Sequence, residues 1–284
     1  MDVADDGLFC SPPIGKWAED KHNLVSLYAK LFSTGMKEKW EERVYIELYA
    51  GAGYAKIQHS TRTIAGSPIQ ALLLEDPFDK YIFCEKGGRE LEALKVRVRR
   101  TAPSAKVAFI SGDCNHRVDD ILAEIPTHSP GHRVLSLCFV DPFDIGIKFE
   151  TLRRLSDRYV DFLVLLALYM DANRNYETYV KDEVLKIDEF LGSTTWRDRW
   201  KIEMLKGIPF PQFLAEEFSR SMESLRYQPQ PFYKMKPVKI PELNVRLYSL
   251  ALFSRHPRAY KFWDQVLKYS TPQTSFDFEA PIGE

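Results

Sequence analysis

Four short apolar runs, at 44–49, 81–84, 107–110 and 134–140, alternate with stretches of helical spacing at 68–74, 88–100, 118–125 and 149–155. Runs this short and this uniformly apolar are strands buried on both faces, and helices following each strand supply the cover. Right-handed crossovers then give an open, doubly wound, mostly parallel sheet. A fifth run, 161–168, continues the series. The expected class is α/β, of the Rossmann-like type.

Flanking segments add to this core. Trp17, Leu24, Leu27, Tyr28 and Leu31 recur every three or four residues and predict an amphipathic helix ahead of the first strand. From 175 to 225 the text is helical, charged and aromatic, with Trp196, Trp200 and Phe213 but no strand-like run, which predicts an inserted helical lobe. Alternation returns at 231–240 and 244–254, joined by Pro241-Glu242, and predicts a closing antiparallel hairpin. A final helix is expected over 256–269, starting at His256-Pro257, and a loosely ordered tail over 271–284. The expected organisation is a cap-helix region at 1–40, a cofactor-binding core at 41–170, a helical insert at 171–230, the closing hairpin and last helix at 231–270, and the tail.

With 284 residues, 45% apolar and a formal charge of -1, the chain has enough apolar residues for a sizeable core and no global field toward nucleic acid or anionic lipid. Any nucleic-acid site must be a local patch. Cys10, Cys84, Cys114 and Cys138 lack paired spacing, which argues against zinc or a disulfide framework. The acidic first residues do not read as a signal peptide, and the most apolar run, 160–170, is about half a membrane span. A cytoplasmic protein without a metal or membrane partner is expected.

The chemistry is expected at strand ends. Glu47-Leu48-Tyr49-Ala50-Gly51-Ala52-Gly53 runs from a buried strand into a glycine turn, where backbone can approach a ligand closely. A dinucleotide site would need a third glycine where Lys56 stands, so the turn suits the amino-acid end of S-adenosylmethionine better than a pyrophosphate. Glu85 closes the second strand, where a carboxylate can accept both ribose hydroxyls. Asp113 closes the third, positioned for an adenine amino group. A helix N-cap role is its plainer reading, although Asn115 or His116 would serve that better by position.

Asp141 closes the fourth strand in Asp141-Pro142-Phe143-Asp144. An acid, a proline carbonyl and an aromatic ring can hold a planar base, its exocyclic amine aimed at a methyl donor, and transfer then needs mostly alignment. A simple Asp-Pro turn is the structural alternative. The expected cofactor set is Lys16, Glu47, Tyr49, Gly51, Gly53, Glu85, Lys86, Asp113, Cys114 and Asp141, with Asp141, Pro142 and Phe143 facing the acceptor.

The remaining signals are weaker. Lys16, Trp17, Lys21 and His22 precede the first strand, where a helix could cover the cofactor's methionine end; Trp17 reads equally as a core anchor and Lys21 as a solvated face, and Lys95, Arg97, Arg99, Arg100, Arg153, Arg154 and Arg158 are more readily solvated faces than phosphate contacts.

Together, Lys16-Trp17 with Lys21-His22, the 45–53 motif, Gly66-Ser67-Pro68, Gly112-Asp113, Asp141-Pro142-Phe143, the 247–257 segment and Phe262-Trp263 resemble the three-Cys-motif partner family (TcmP). The resemblance covers most of the chain. It implies a Rossmann-like methyltransferase fold and a partner resembling radical S-adenosylmethionine enzymes, which would carry the three cysteines. Two departures matter. Asp144 stands where the similar Asp-Pro-Phe-Gly motif of tRNA guanine-N2 methyltransferases has glycine, adding an acid beside the base pocket. The Gly53–Glu85 separation also exceeds the usual spacing of about 20 residues; segment 56–65 is expected to form a loop over the cofactor, with Ser67 as N-cap and Pro68 as first residue of the next helix. Three functions follow: an amino-nitrogen methyltransferase, more readily on nucleic acid than on a small molecule; a partner subunit of the three-Cys protein; and a protein binding another adenosine ligand.

Overall fold

The computed structural model describes residues 1–240 and 243–269. Its main sheet has seven strands: β3 (Glu42–Glu47), β6 (Lys80–Glu85), β7 (Val107–Ser111), β8 (Val134–Val140), β9 (Val160–Leu166), β10 (Lys236–Ile240) and β11 (Val245–Phe253). Their order is β10-β11-β9-β8-β3-β6-β7. The five strands from β9 to β7 are parallel, and β11 runs antiparallel to both β9 and β10. Every residue of β9 is buried, as a central strand covered on both faces requires. Pro237 is tolerated in β10 because that strand is the sheet edge.

Helices cover both faces. On one, α1 (Trp17–Met36) packs on α10 (Pro257–Tyr269) and α2 (Ser67–Leu72), and α2 on α3 (Gly88–Thr101). On the other, α4 (Val118–Glu124), α5 (Phe149–Leu155), α7 (Lys186–Leu191) and α9 (Phe210–Ser224) pack in series. The 175–225 segment is helical as expected, adding α6 (Tyr176–Tyr179) and α8 (Trp196–Leu205) around buried Trp196, Trp200, Phe213 and Phe218. A π-helical turn, Leu168–Ala172, leads into it. The predicted strand at 231–240 is shorter than expected because Phe232–Lys234 forms a 3-10 turn. The Pro241-Glu242 turn and the 271–284 tail lie outside the described residues. No helix among the described residues is long and apolar enough to cross a membrane.

One prediction fails outright. Segment 56–65 is not a loop but most of a hairpin, β4 (Tyr54–Ile57) and β5 (Thr63–Ala65). It joins β1 (Asp2–Val3) and β2 (Ser11–Ile14) in a separate four-stranded sheet, order β1-β5-β4-β2. Ala55, Ile57 and Ile64, with Ile14 against them, form its own small core.

Candidate functional site

The chain lays β3, β6 and β7 outward in one direction and then returns to place β8 on the other side of β3. The crevice at the carboxyl ends of β3 and β8 is therefore the topological switch point, where open α/β sheets bind ligands. Glu47 ends β3, Glu85 ends β6, Gly112-Asp113 follows β7 and Asp141 follows β8. The register sets Glu47 beside Phe83 and Phe139, and Glu85 beside Ser111, so the acids share one edge of the sheet.

The glycine turn is fixed by backbone requirements. Gly51 and Gly53 have φ of 61° and 83°, where side chains with a Cβ are strained. A Cβ on Gly53 would also lie 2.8 Å from Leu94 Cδ1. The Gly53 carbonyl accepts from Gly66 N–H at 2.7 Å, tying the turn to the start of α2. Gly66, not Ser67, is the α2 N-cap, with Ser67 and Pro68 inside the first turn. The Ser67 hydroxyl is instead directed at Glu47 Oε1, 2.5 Å away.

Glu47 is buried, and its other oxygen accepts from the Tyr45 hydroxyl at 3.1 Å. Desolvation pushes its pKa well above the usual carboxylate range, with Asp141 adding to the rise, against the hydrogen bonds from Ser67 and Tyr45 and the nearby Lys21 charge. The Glu85 carboxylate accepts two backbone bonds, from Gly51 N–H and Gly87 N–H, each 2.7 Å. Each of its oxygens keeps acceptor capacity beyond that bond. Tyr49 and Cys114 lie close enough to influence each other's titration, which brings the β3 and β7 ends together. Desolvation pushes the Cys114 thiol up to about 11.

Asp113 does not cap α4; the residue at that cap is Arg117. Its Oδ1 accepts from Asn115 N–H at 3.0 Å, and Lys86 Nζ lies 3.4 Å from Oδ2. Desolvation raises the Asp113 pKa, but these contacts outweigh it and leave the group below its usual value. Lys86 is 77% exposed, so solvent screens most of this pairing. Asn115 is no N-cap either. Its amide donates to Gly146 O at 2.9 Å and accepts from Lys148 N–H and the Thr151 hydroxyl, clasping the loop after β8.

That loop carries Asp141, Pro142 and Phe143. Pro142 is buried, whereas Phe143 is 79% exposed. The loop beneath the ring is pinned from several sides. Asp144 caps Gly146 N–H at 2.8 Å and pairs with Lys186 Nζ at 2.6 Å, and Asp171 accepts from Ile145 N–H at 2.9 Å. The acid that departs from the glycine motif is therefore neutralised by a lysine of the helical lobe.

Lys16 is exposed, whereas Lys21, expected on a solvated face, has a side chain only 8% exposed and lies 2.5 Å from Asp141 Oδ2. Its ammonium also sits 5.7 Å from the Trp17 ring, which packs on Tyr248. A second basic residue departs from expectation. Arg97 is 1% exposed and binds Asp6, the Phe9 carbonyl and, at 2.7 Å, the Ala52 carbonyl inside the glycine turn. Lys21 had a signal in the Lys21-His22 pair, whereas Arg97 had none beyond its place on a helix; the partners of the two lie 120 and 91 residues away, which hid the contacts themselves.

No family model and no curated protein matches this chain. Solved structures do align with it. Trm1 from Pyrococcus horikoshii, solved with S-adenosyl-L-methionine, aligns at 10% identity over 94% of this chain and 64% of that one, with a TM-score of 0.46. TYW2 from M. jannaschii, solved with AdoMet, aligns at 10% identity over 90% and 86%, with a TM-score of 0.45. The O-methyltransferase TomG from Streptomyces achromogenes, solved with SAM, aligns at 17% identity over 66% and 69%, with a TM-score of 0.37. The seven-strand order, with β11 reversed between β9 and β10, gives this chain a methyltransferase-like fold.

Proposed function

We propose that this protein is an S-adenosylmethionine-dependent methyltransferase whose acceptor is an amino nitrogen on a planar base, in nucleic acid rather than in a small molecule. The carrying observation is the Glu85–Gly51 contact: one hydrogen bond joins the ribose-reading acid to the glycine turn. The residues present fit the cofactor. Glu85 offers acceptors for two ribose hydroxyls, and Asp113, an acid kept ionised, offers one for the adenine amine beside Cys114 and Lys86. The left-handed Gly51 and Gly53 leave backbone room for the amino-acid end near Glu47 and Tyr49. When bound, S-adenosylmethionine supplies an electrophilic methyl group.

The chain's own contribution is alignment. Asp141 and the Pro142 carbonyl are acceptors for an exocyclic amine, and Phe143 is an exposed ring on which a base can stack. With the amine held by acceptors, its lone pair keeps one direction, and no strong general base is required. Extraction of the base from its stack would precede this step in a duplex substrate.

The test supplies methyl-labelled cofactor with tRNA, ribosomal RNA or DNA, followed by nucleoside digestion. An N-methylated amino base, reduced at least about tenfold by Phe143→Ala, is the expected product. Label on none of these pools, with the cofactor bound, would contradict the acceptor class. A second reading, a subunit serving the three-Cys protein, is favoured by Ile202, Met204 and Leu205, all exposed on α8. It predicts methyl transfer only when that partner is added.

A further inference from the structure

We infer that Lys21 is the residue that receives the carboxylate of the cofactor's amino-acid end; this rests on the cofactor reading above. The strand ends present Glu85, Asp113 and Asp141, so an entering carboxylate meets like charge. Burying an anion there without a cation would be costly. Among the described residues three lysines or arginines are buried: Lys21, Arg43 and Arg97. Arg43 is engaged by Asp79, Ser33 and the Pro77 carbonyl at the start of β3, the opposite end of the strand. Arg97 is engaged by Asp6 and three backbone carbonyls.

Arg97 touches the glycine turn at Ala52, but Lys21 is the one of the three that pairs with a strand-end acid there. It touches Asp141 at the end of β8, and its charge is felt by Glu47 at the end of β3. An ammonium has three donors, and one goes to Asp141. Among the described residues, the surroundings add no competing buried cation. His22, next in sequence, is buried, and desolvation together with the Lys21 charge holds its pKa well below the usual histidine value, so the ring is neutral. Lys186 is committed to Asp144 and Asp171, while Arg174, which acts on the neighbouring Tyr248, is exposed. Trp17 walls the ammonium on one side, as expected for a cation kept at a fixed place.

Two probes separate this role from a structural one. S-adenosylhomocysteine carries the amino-acid end; 5′-deoxy-5′-methylthioadenosine has the same adenosine and sulfur without it. Both are titrated calorimetrically into wild type, Lys21→Met and Lys21→Arg. Lys21→Met is expected to weaken S-adenosylhomocysteine at least tenfold and to change methylthioadenosine less than twofold, with Lys21→Arg recovering part of the loss. Equal loss for both probes, or no loss for either, would overturn the assignment while leaving the cofactor reading intact. Wild type that binds neither probe overturns the cofactor reading itself. Should Lys21→Met fail to fold, Lys21→Gln carries the same test: a loss confined to S-adenosylhomocysteine supports the assignment, and equal loss for both probes, or none for either, overturns it.

Discussion

The Glu85 carboxylate accepts a 2.7 Å hydrogen bond from Gly51 N–H, so the acid ending one strand closes onto the glycine turn that ends its neighbour. Gly51 adopts φ of 61°, a conformation that strains residues with a Cβ, so the turn that carries this N–H favours glycine. A second bond, from Gly87 N–H, fixes the other carboxylate oxygen at the start of α3. The acid is thus oriented before any ligand meets it.

Glu85→Ala is predicted to weaken S-adenosylhomocysteine binding at least about tenfold, since a hydrogen bond to a charged group contributes about 1.5–3 kcal/mol. Glu85→Gln, which keeps one acceptor and the shape, should lose less. Calorimetric dissociation constants for the three proteins check this order; equal affinity in all three would remove Glu85 from the ribose.

Asp161 makes stability depend on pH. It is buried in β9, and desolvation lifts its pKa to about 7, opposed by a hydrogen bond from Ser254 and the charge of Arg255. A carboxyl whose folded pKa exceeds its unfolded value binds more protons in the native state between those values. Its contribution to stability is therefore present at low pH and is lost as pH rises through about 7. Asp161→Asn should melt at least a few degrees above wild type at pH 8, with the gap closing toward pH 5. Thermal melts across that range test it, and a gap that widens toward acid would refute the assignment.

Arg97 links the N-terminal segment to the glycine turn. Arg97→Met would leave Asp6 and the Ala52 and Phe9 carbonyls without their partner, and breaking a buried pair costs about 3–5 kcal/mol. Urea unfolding should show a loss of about 3 kcal/mol or more, with Arg97→Lys recovering only part, because an ammonium cannot reproduce the guanidinium fork. A loss under about 1 kcal/mol would mean that the N-terminal sheet is held by other contacts.

The parts of the molecule legible in the sequence are those governed by short-range periodicity. β8 runs over Val134–Val140 and α5 over Phe149–Leu155, as their apolar spacing indicates, and acids at strand ends fall on one sheet edge because parallel strands share a direction. The N-terminal sheet was hidden, since Ser11-Pro12-Pro13 has turn composition and β1 is two residues long. Lys21 and Arg97 were misjudged for a common reason: a basic residue on a helix is solvated unless a distant segment folds over it. The same distance hid the pairing of Asp144 with Lys186. The extra acid in the Asp141–Asp144 motif reads as a repulsive charge in the sequence and as half of an ion pair in the fold.

The most direct test of the central claim is calorimetric titration of the purified protein with S-adenosylhomocysteine, with Asp113→Ala as the paired variant. The account predicts saturable one-to-one binding in the micromolar range, weakened at least about tenfold when the Asp113 acceptor is removed. Absence of binding to wild type would contradict it and turn attention to the subunit role; binding that Asp113→Ala leaves unchanged would place the adenine elsewhere.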